Sequence, residues 1–412
     1  MATKSPGFGS GKWRPRSLLK ALLITTSFPD GPHDARGRFV AHGAEDLLDR
    51  GWKVRVLAPP GDWAPPGVNR FSYPTVGQVL RGEGAPDILQ SRPLGAWPSA
   101  MATTLSAMLK GVRMARPDEL IVGHWLIPSG PIALAMARKS GAPVHLYAHG
   151  GDVALLEKIP FGQTLARRLD AGCAGITFVS NDLMVRFGDL LARVARSKHS
   201  VAPMGIHRPQ PAAGFVEPLL ASHPGCKVVV SVGRMVAIKG LEVLAKALVG
   251  EQGLVWLALG DGPDRQSLQS ASCELGVTLI SPGQVSEAER EACLRRADVF
   301  VQPSIEIDTR REGTPTALYE AMAAGVPCIA SATGGITPLG HAAGVRLVPP
   351  GDAVALKSAL VGVLNNPDER AAMARRHRAA AVEFEWSERG LSHHVALLES
   401  AGLNQPGSKP PP

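Results

Sequence analysis

The sequence predicts an α/β protein made of two Rossmann-like, doubly wound domains that face each other across a cleft. Three observations carry that expectation. The chain has 412 residues, beyond the roughly 250 to 300 at which a single hydrophobic core stops growing. Short apolar runs of strand length alternate with helical patterns along most of it, the order that gives parallel sheets covered by helices on both faces. Near the middle, residues 207–225 hold four prolines and little periodicity, so they read as a linker between two such arrays.

In the first array, residues 18–25 read as the opening strand, 39–50 as a helix and 54–58 as the second strand, after the turn at Gly51. The Pro- and Gly-rich stretch 59–98 breaks the rhythm and reads as a long irregular insertion. Alternation resumes with strands near 119–122, 143–148 and 175–179, which makes 18–205 the first domain. After the linker at 206–225, the second domain occupies 226–381, with strands near 227–232, 254–259, 277–280, 299–301 and 327–330. Its closing helices fall near 352–365 and 367–381, followed by one at 387–401. Residues 1–17 and 404–412 are polar and rich in Gly and Pro, and read as flexible tails.

Hydrophobic residues at 45% and charged ones at 19% fit a globular chain and exclude collagen and long coiled coils. The five cysteines are odd in number, well separated and free of C-x-x-C spacing, so they read as reduced core thiols rather than a zinc or redox site. No apolar run approaches the ~20 residues of a membrane span, and a cytoplasmic location is expected. Charge is unevenly shared. Residues 1–205 hold 25 Lys/Arg against 15 Asp/Glu, net +10, and residues 206–412 hold 19 against 21, net −2. A basic first half suits phosphates, an anionic membrane surface or nucleic acid, or is simply a solvated face. Nucleic acid is set aside, because there is no recognition module and no basic-aromatic repeat.

Three segments carry the chemistry. In REGTPTALYEAMAAG, residues 311–325, Thr314 and Pro315 read as a helix cap and first-turn proline, and Gly325 with Pro327 as its stop. Such a helix start presents amides at Thr314, Thr316 and Ala317, and the macrodipole favours an anion such as a diphosphate there. Glu312 lies just ahead of it, and Glu320 lies one turn beyond Thr316 on the same face. The pair can accept hydrogen bonds from sugar or ribose hydroxyls. In SVGRMVAIKG, residues 231–240, Arg234 and Lys239 follow an apolar strand and can meet a diphosphate, although both also suit a solvated loop. In YAHGGD, residues 147–152, His149 ends a strand and faces the cleft, and the paired glycines allow close approach of a ligand.

Together these motifs resemble family 4 of the retaining glycosyltransferases, which have the GT-B fold. The resemblance runs from Ser27-Phe28-Pro29 and Arg36-Gly37-Arg38-Phe39-Val40 to Phe384-Glu385-Trp386, with the motifs in the family's order. Glu312 and Glu320 match its E-x7-E pair, and Gly233 to Gly240 match its G-R-x-x-x-x-K-G. The resemblance implies that Arg234 and Lys239 hold the donor diphosphate, that Glu320 binds the ribose hydroxyls and that Glu312 contacts the transferred sugar. Gly313, Thr314 and Thr316 then offer backbone donors, and Gly37 lies on a first-domain loop near the phosphates. His149 stands near the sugar from the opposite domain, Asp152 shapes the acceptor side, and the helix at 387–401 crosses back onto the first domain. The chain departs from the family at Met204-Gly205-Ile206-His207 and at Thr337-Pro338, positions that bear on the hinge and on the choice of donor sugar.

The implied activity is transfer of a sugar from a nucleotide-diphosphate donor to a glycan or lipid-linked glycan, with retention. No cofactor is expected. A nucleotide-sugar epimerase of the same fold is not expected to carry the E-x7-E pair, and the intact set His149, Arg234, Lys239, Glu312 and Glu320 speaks against a non-catalytic nucleotide-sugar-binding subunit. The basic first domain suits an anionic acceptor and reversible contact with an anionic membrane face, through Arg167, Arg168, Arg186, Arg193, Arg196 and Lys198. Charge on the departing diphosphate needs stabilisation. Arg234 and Lys239 supply built-in cations, and no two aspartates are spaced as a metal-holding Asp-x-Asp. Transfer is therefore expected to survive thorough chelation with EDTA; loss of activity that magnesium or manganese restores would overturn the assignment of the leaving-group role to these two side chains.

Overall fold

The computed structural model describes residues 19–31, 34, 36–76, 93–192, 198–308, 311–313 and 315–385. Among them, two parallel sheets account for the strands. The first holds β1 (Lys20–Ile24), β2 (Lys53–Ala58), β3 (Asn69–Ser72), β4 (Leu120–His124), β5 (Val144–Ala148), β6 (Gly175–Phe178) and β7 (His199–Val201), in the order β3-β2-β1-β4-β5-β6-β7. The second holds β8 (Lys227–Val232), β9 (Leu254–Leu259), β10 (Leu279–Gly283), β11 (Val299–Gln302), β12 (Cys328–Ser331) and β13 (Arg346–Val348), in the order β10-β9-β8-β11-β12-β13. All pairings are parallel, with Ala21 opposite both Val54 and Leu120, and Val229 opposite both Trp256 and Val299.

Central strands are apolar on both faces because helices cover both. Along β8, Val228 and Val230 pack with Leu318 and Met322 of the helix Thr316–Ala324. The intervening Val229 packs with Leu244 of the helix Leu241–Ala247 and with Leu360 of the helix Ala353–Asn365. Each such side chain, fully removed from water, is worth roughly 1.5–3 kcal/mol. In the first domain, the amphipathic helix Arg38–Asp49 turns Val40, Ala41, Ala44 and Leu47 onto the sheet.

Each sheet reverses its strand order once, between β1 and β4 and between β8 and β11. In open α/β sheets such a switch point leaves a crevice beyond the carboxyl ends of the strands, where ligands bind. Gly37, at the end of the β1 loop, and Gly240, at the end of the β8 loop, each precede a helix there and adopt left-handed φ of 61° and 62°. At the chain's end, Ile206 N–H donates to Phe384 O at 2.8 Å, and the Phe384 ring lies 4.0 Å from that of Tyr319. The described chain thus returns to the junction between the two arrays.

The strands β3, β7 and β13, each at a sheet edge, carry no strand signal in the sequence. Edge strands are half-covered and need no apolar run, as NRFS (β3) and HSV (β7) illustrate. Hence 59–98 is not wholly irregular, and β10 lies about two residues later than expected. The helix expected to begin with Thr314 as cap and Pro315 in its first turn starts at Thr316, because Pro315 is extended (ψ 109°). Thr314 and the helix expected at 387–401 lie outside the described residues. Only Cys173, Cys293 and Cys328 are buried thiols; Cys226 is half-buried and Cys273 exposed, against the reading of all five as core.

A Cβ at residue 240 would lie 2.1 Å from Pro303 O, whereas one at Gly214, also left-handed (φ 73°), meets nothing within 4 Å. Gly240→Ala is expected to cost about 2 kcal/mol or more and Gly214→Ala about 1 kcal/mol, read from urea midpoints. Equal losses would show that the approach of the β8 and β11 loops is not tight.

Candidate functional site

One wall of the site hangs from β8 and β11, which are neighbours. After β8 the chain runs through Gly233 and Arg234 to Lys239, and after β11 it runs through Pro303 and Ser304 to Glu312. The two following helices cover opposite faces of the sheet, so both loops converge over the switch point. Lys239 Nζ donates to Glu312 Oε2 at 2.7 Å, and Ser304 Oγ donates to the same oxygen at 2.9 Å. Gln302 Nε2 in turn donates to Ser304 Oγ at 2.8 Å. Gln302 and Ser304 are buried, and Gln302 Oε1 is a buried acceptor without a hydrogen-bond partner. Ser231, Gly233, Arg234, Lys239, Gln302 and Pro303 line one depression, with Arg234 exposed.

The opposite wall comes from the first domain. His149 follows β5, and its Nε2 lies 3.2 Å from His124 Nδ1 at the end of β4. The rings of Trp125 and Phe39 close over it at 4.8 and 4.9 Å. Burial, and then the neighbouring His124, hold His149 well below the ordinary histidine range, so the imidazole is neutral near pH 7. Asp152 is fully buried and accepts the amides of Leu126 (2.7 Å), Gly150 (2.8 Å), Val153 (3.0 Å) and His149 (3.2 Å). Burial raises its carboxyl pKa against the pull of those four amides. Asp152 therefore ties the β4 and β5 loops together, and its buried carboxylate has no face open to an acceptor, against the expectation that it shapes the acceptor side directly. Gly37 lies two residues before Phe39, and a Cβ there would meet Ser27 O at 2.1 Å. The walls meet at Gly313, where a Cβ would lie 3.4 Å from His149 O.

Glu320 sits one turn into the helix Thr316–Ala324, as its spacing from Thr316 implied. Its carboxylate is gripped by Arg290, Nε to Oε2 at 2.7 Å and Nη2 to Oε1 at 2.9 Å. Arg290 was not singled out from the sequence; it is 30 residues from its partner, and no local spacing marks it. His124, Ser304 and Gln302 were missed likewise, although His124 ends an apolar strand as His149 does.

The family model for "Glycosyl transferases group 1" matches residues 220–380. WcaL of Salmonella typhimurium, named for glycosyl transfer in colanic acid biosynthesis, is 34% identical over 323 residues, 71% of this chain and 73% of that protein. The chain belongs to the group 1 glycosyltransferases. TuaC of Bacillus subtilis, named for glycosyl transfer in teichuronic acid biosynthesis, is 27% identical over 359 residues, 83% of this chain and 88% of that protein. Among solved structures, the sucrose-phosphate synthase of Thermosynechococcus elongatus superposes with a TM-score of 0.73 at 19% identity, covering 94% of this chain and all of that one. That likeness shows the GT-B fold in this glycosyltransferase.

Not every expected surface contact of the glycosyltransferase is available. Arg186 is engaged by Glu157 at 2.5 and 2.8 Å, and Lys198 by the Asp170 and Cys173 carbonyls, so both serve the fold. Arg193 and Arg196 lie outside the described residues, while Arg167 and Arg168 are exposed. Among the described residues, no helix is long and apolar enough to cross a membrane.

The domains are also joined by Glu287. Its carboxylate lies 3.3 Å from His42 Nε2, 3.6 Å from Arg38 Nε and 3.7 Å from His207 Nδ1. Glu287 raises the His207 pKa, while Glu287 itself, although burial opposes it, is held below the usual carboxylate range by His207 and His42. A raised histidine pKa contributes stability that is complete below about 6.5 and is lost as pH rises through the folded value. The thermal-stability advantage of wild type over His207→Gln is accordingly expected to shrink from about pH 6 to about pH 9; an advantage that stays constant or grows would contradict the pairing.

Proposed function

We propose that the protein transfers a sugar from a nucleoside-diphosphate sugar to a glycan or lipid-linked acceptor, with retention at the anomeric carbon and with side-chain cations at the leaving diphosphate. The observation that carries this reading is that Lys239, which shares one depression with Arg234, is paired with Glu312, just ahead of the helix Thr316–Ala324, at the switch point of the second sheet. Two cations and a helix N-terminus are the groups that stabilise charge as it develops on a diphosphate. Glu312, with Gly313 beside the first domain, is the candidate contact to the transferred sugar. Its carboxylate is occupied by Lys239 and Ser304, which disfavours a role as a free nucleophile and favours attack by the acceptor on the face that the diphosphate leaves. A neutral His149 can exchange hydrogen bonds with sugar hydroxyls without placing a positive charge near the developing oxocarbenium ion. WcaL is named for colanic acid biosynthesis and TuaC for teichuronic acid biosynthesis, which supports a glycan acceptor. The net +10 of residues 1–205 supports an anionic one, presented at the surface of an anionic membrane.

The two glutamates separate the donor roles. Titrated with UDP, GDP and ADP, Glu320→Ala is expected to lose about 1–3 kcal/mol of affinity for whichever nucleotide binds wild type, the value of a charged hydrogen bond. Glu312→Ala is expected to keep affinity for the bare nucleotide and to lose affinity for its sugar-bearing form. Equal losses of bare-nucleotide affinity in both variants would remove Glu312 from the sugar site.

A further inference from the structure

Glu287 occupies an unusual place. It is the first residue of the helix Glu287–Arg296, whose start is locked by a capping box: Ser286 Oγ accepts from Glu289 N–H, and Glu289 accepts from Ser286 N–H at 2.7 Å. A carboxylate at this end is favoured by the helix dipole. One turn on, Arg290 Nη2 stands 3.9 Å from Glu287 Oε1 while the same guanidinium holds Glu320 through a hydrogen bond from Nη2 and an ion-pair contact from Nε. All three side chains are largely withdrawn from water, at 13–17% exposure. In the other direction Glu287 meets Arg38 and His42, both on the first-domain helix Arg38–Asp49, and His207 at the junction; the His42 and His207 rings are 5.1 Å apart.

Within this chain of charges His42 is in close contact with Glu287 at 3.3 Å, whereas Arg290 at 3.9 Å and Arg38 at 3.6 Å stand off it. Arg38 Nε is 3.6 Å from Glu287, beyond hydrogen-bond distance, and Arg38 Nε and Nη1 are buried with no hydrogen-bond partner. The Trp63 ring, 5.1 Å from the Arg38 guanidinium carbon, attracts its charge but offers these N–H groups no acceptor oxygen; leaving buried donors unsatisfied is costly, so a shift of less than an ångström that brings the first domain closer to Glu287 is favoured by Arg38 itself. Arg38 directly follows Gly37 and precedes Phe39, the ring over His149.

We infer that Arg290 is a positioning residue of the donor site and that, with Glu287, it links Glu320 to the helix Arg38–Asp49, so that nucleotide held by Glu320 tightens the existing contact between Glu287 and the first domain. The inference rests on the reading of Glu320 as a nucleotide-binding residue. The relay needs Arg290 to be bidentate, since a lysine offers a point charge and cannot bridge two carboxylates in a fixed plane. It also needs Glu287 to be charged, since a neutral amide attracts Arg38 weakly.

The probe is whichever of UDP, GDP and ADP stabilises wild type most, measured by calorimetry and by amide hydrogen exchange, which reports local opening. In wild type the nucleotide is expected to slow exchange in residues 38–49, although they belong to the other domain. Glu287→Gln is expected to bind the nucleotide within about threefold of wild type and to lose that protection. Arg290→Lys, which keeps the charge and so the fold, is expected to bind about tenfold more weakly. Full protection of residues 38–49 in Glu287→Gln would overturn the link, and wild-type affinity in Arg290→Lys would overturn the positioning role. Glu320→Ala, run in parallel, separates the underlying reading: wild-type affinity there defeats the nucleotide role of Glu320 and the donor end of the relay with it. Weakened binding in Glu320→Ala beside wild-type binding in Arg290→Lys defeats the positioning role alone.

Discussion

The hydrogen bond from Lys239 to Glu312 joins residues 73 positions apart in the sequence, and the polar wall of the second domain is organised around it. It forms only if β8 and β11 are neighbours, if the helices after them leave on opposite faces, and if Gly240 lets the β8 loop pass close to Pro303. Each condition belongs to a different level of structure: strand order, layer packing and a single backbone angle. Once all three hold, a cation and a carboxylate are brought to the carboxyl edge of the sheet, partly shielded from water. Shielding strengthens their attraction and makes an unpaired partner expensive. Ser304 and Gln302 extend the same logic inward, each satisfying the next.

Facing this polar wall, the first domain presents an aromatic one. His149 lies among Phe39, Trp125 and His124, so its charged form is penalised and it enters the cleft as a neutral donor and acceptor. The price of that placement is a buried carboxylate, Asp152, which four backbone amides satisfy. The two walls thus differ in kind, with fixed charge on one side and an uncharged, shaped surface on the other. Glycosyl transfer has matching needs: charge at the diphosphate and close packing, without added positive charge, at the sugar.

Between the walls, Glu287 and Arg290 use few residues to span large distances. Arg290 faces Glu320 and Glu287 together because the three-residue spacing in its own helix brings Glu287 alongside, while packing of the helix Glu287–Arg296 against Thr316–Ala324 supplies Glu320. The capping box that fixes this helix, Ser286 with Glu289, is a local pattern present in the sequence. The contacts that give the helix its importance are not local, and nothing in its spacing distinguishes Arg290 from Arg295, which pairs with Glu291 one turn back.

What the sequence determined by itself was whatever depends on near neighbours along the chain. The buried strands β1, β2, β4, β5, β6, β8, β9, β11 and β12 could be read because burial on both faces demands an uninterrupted apolar run. The helix stop at Gly325 could be read because a left-handed residue there favours glycine (φ 76°). Lys239, Glu312, His149 and Glu320 could be singled out because motif spacing set them at strand and helix ends. Tertiary structure alone decided the edge strands, which lack a covering layer and so lack an apolar signature. It decided that Lys239 and Glu312 touch, that Asp152 points into backbone amides, that Arg186 and Lys198 are consumed by the fold, and that Arg38, Glu287, Arg290 and Glu320 form one chain of charges. Those are relations between groups far apart in sequence, and electrostatic and hydrogen-bond energies depend on distance through space, which only the packing of the two sheets establishes.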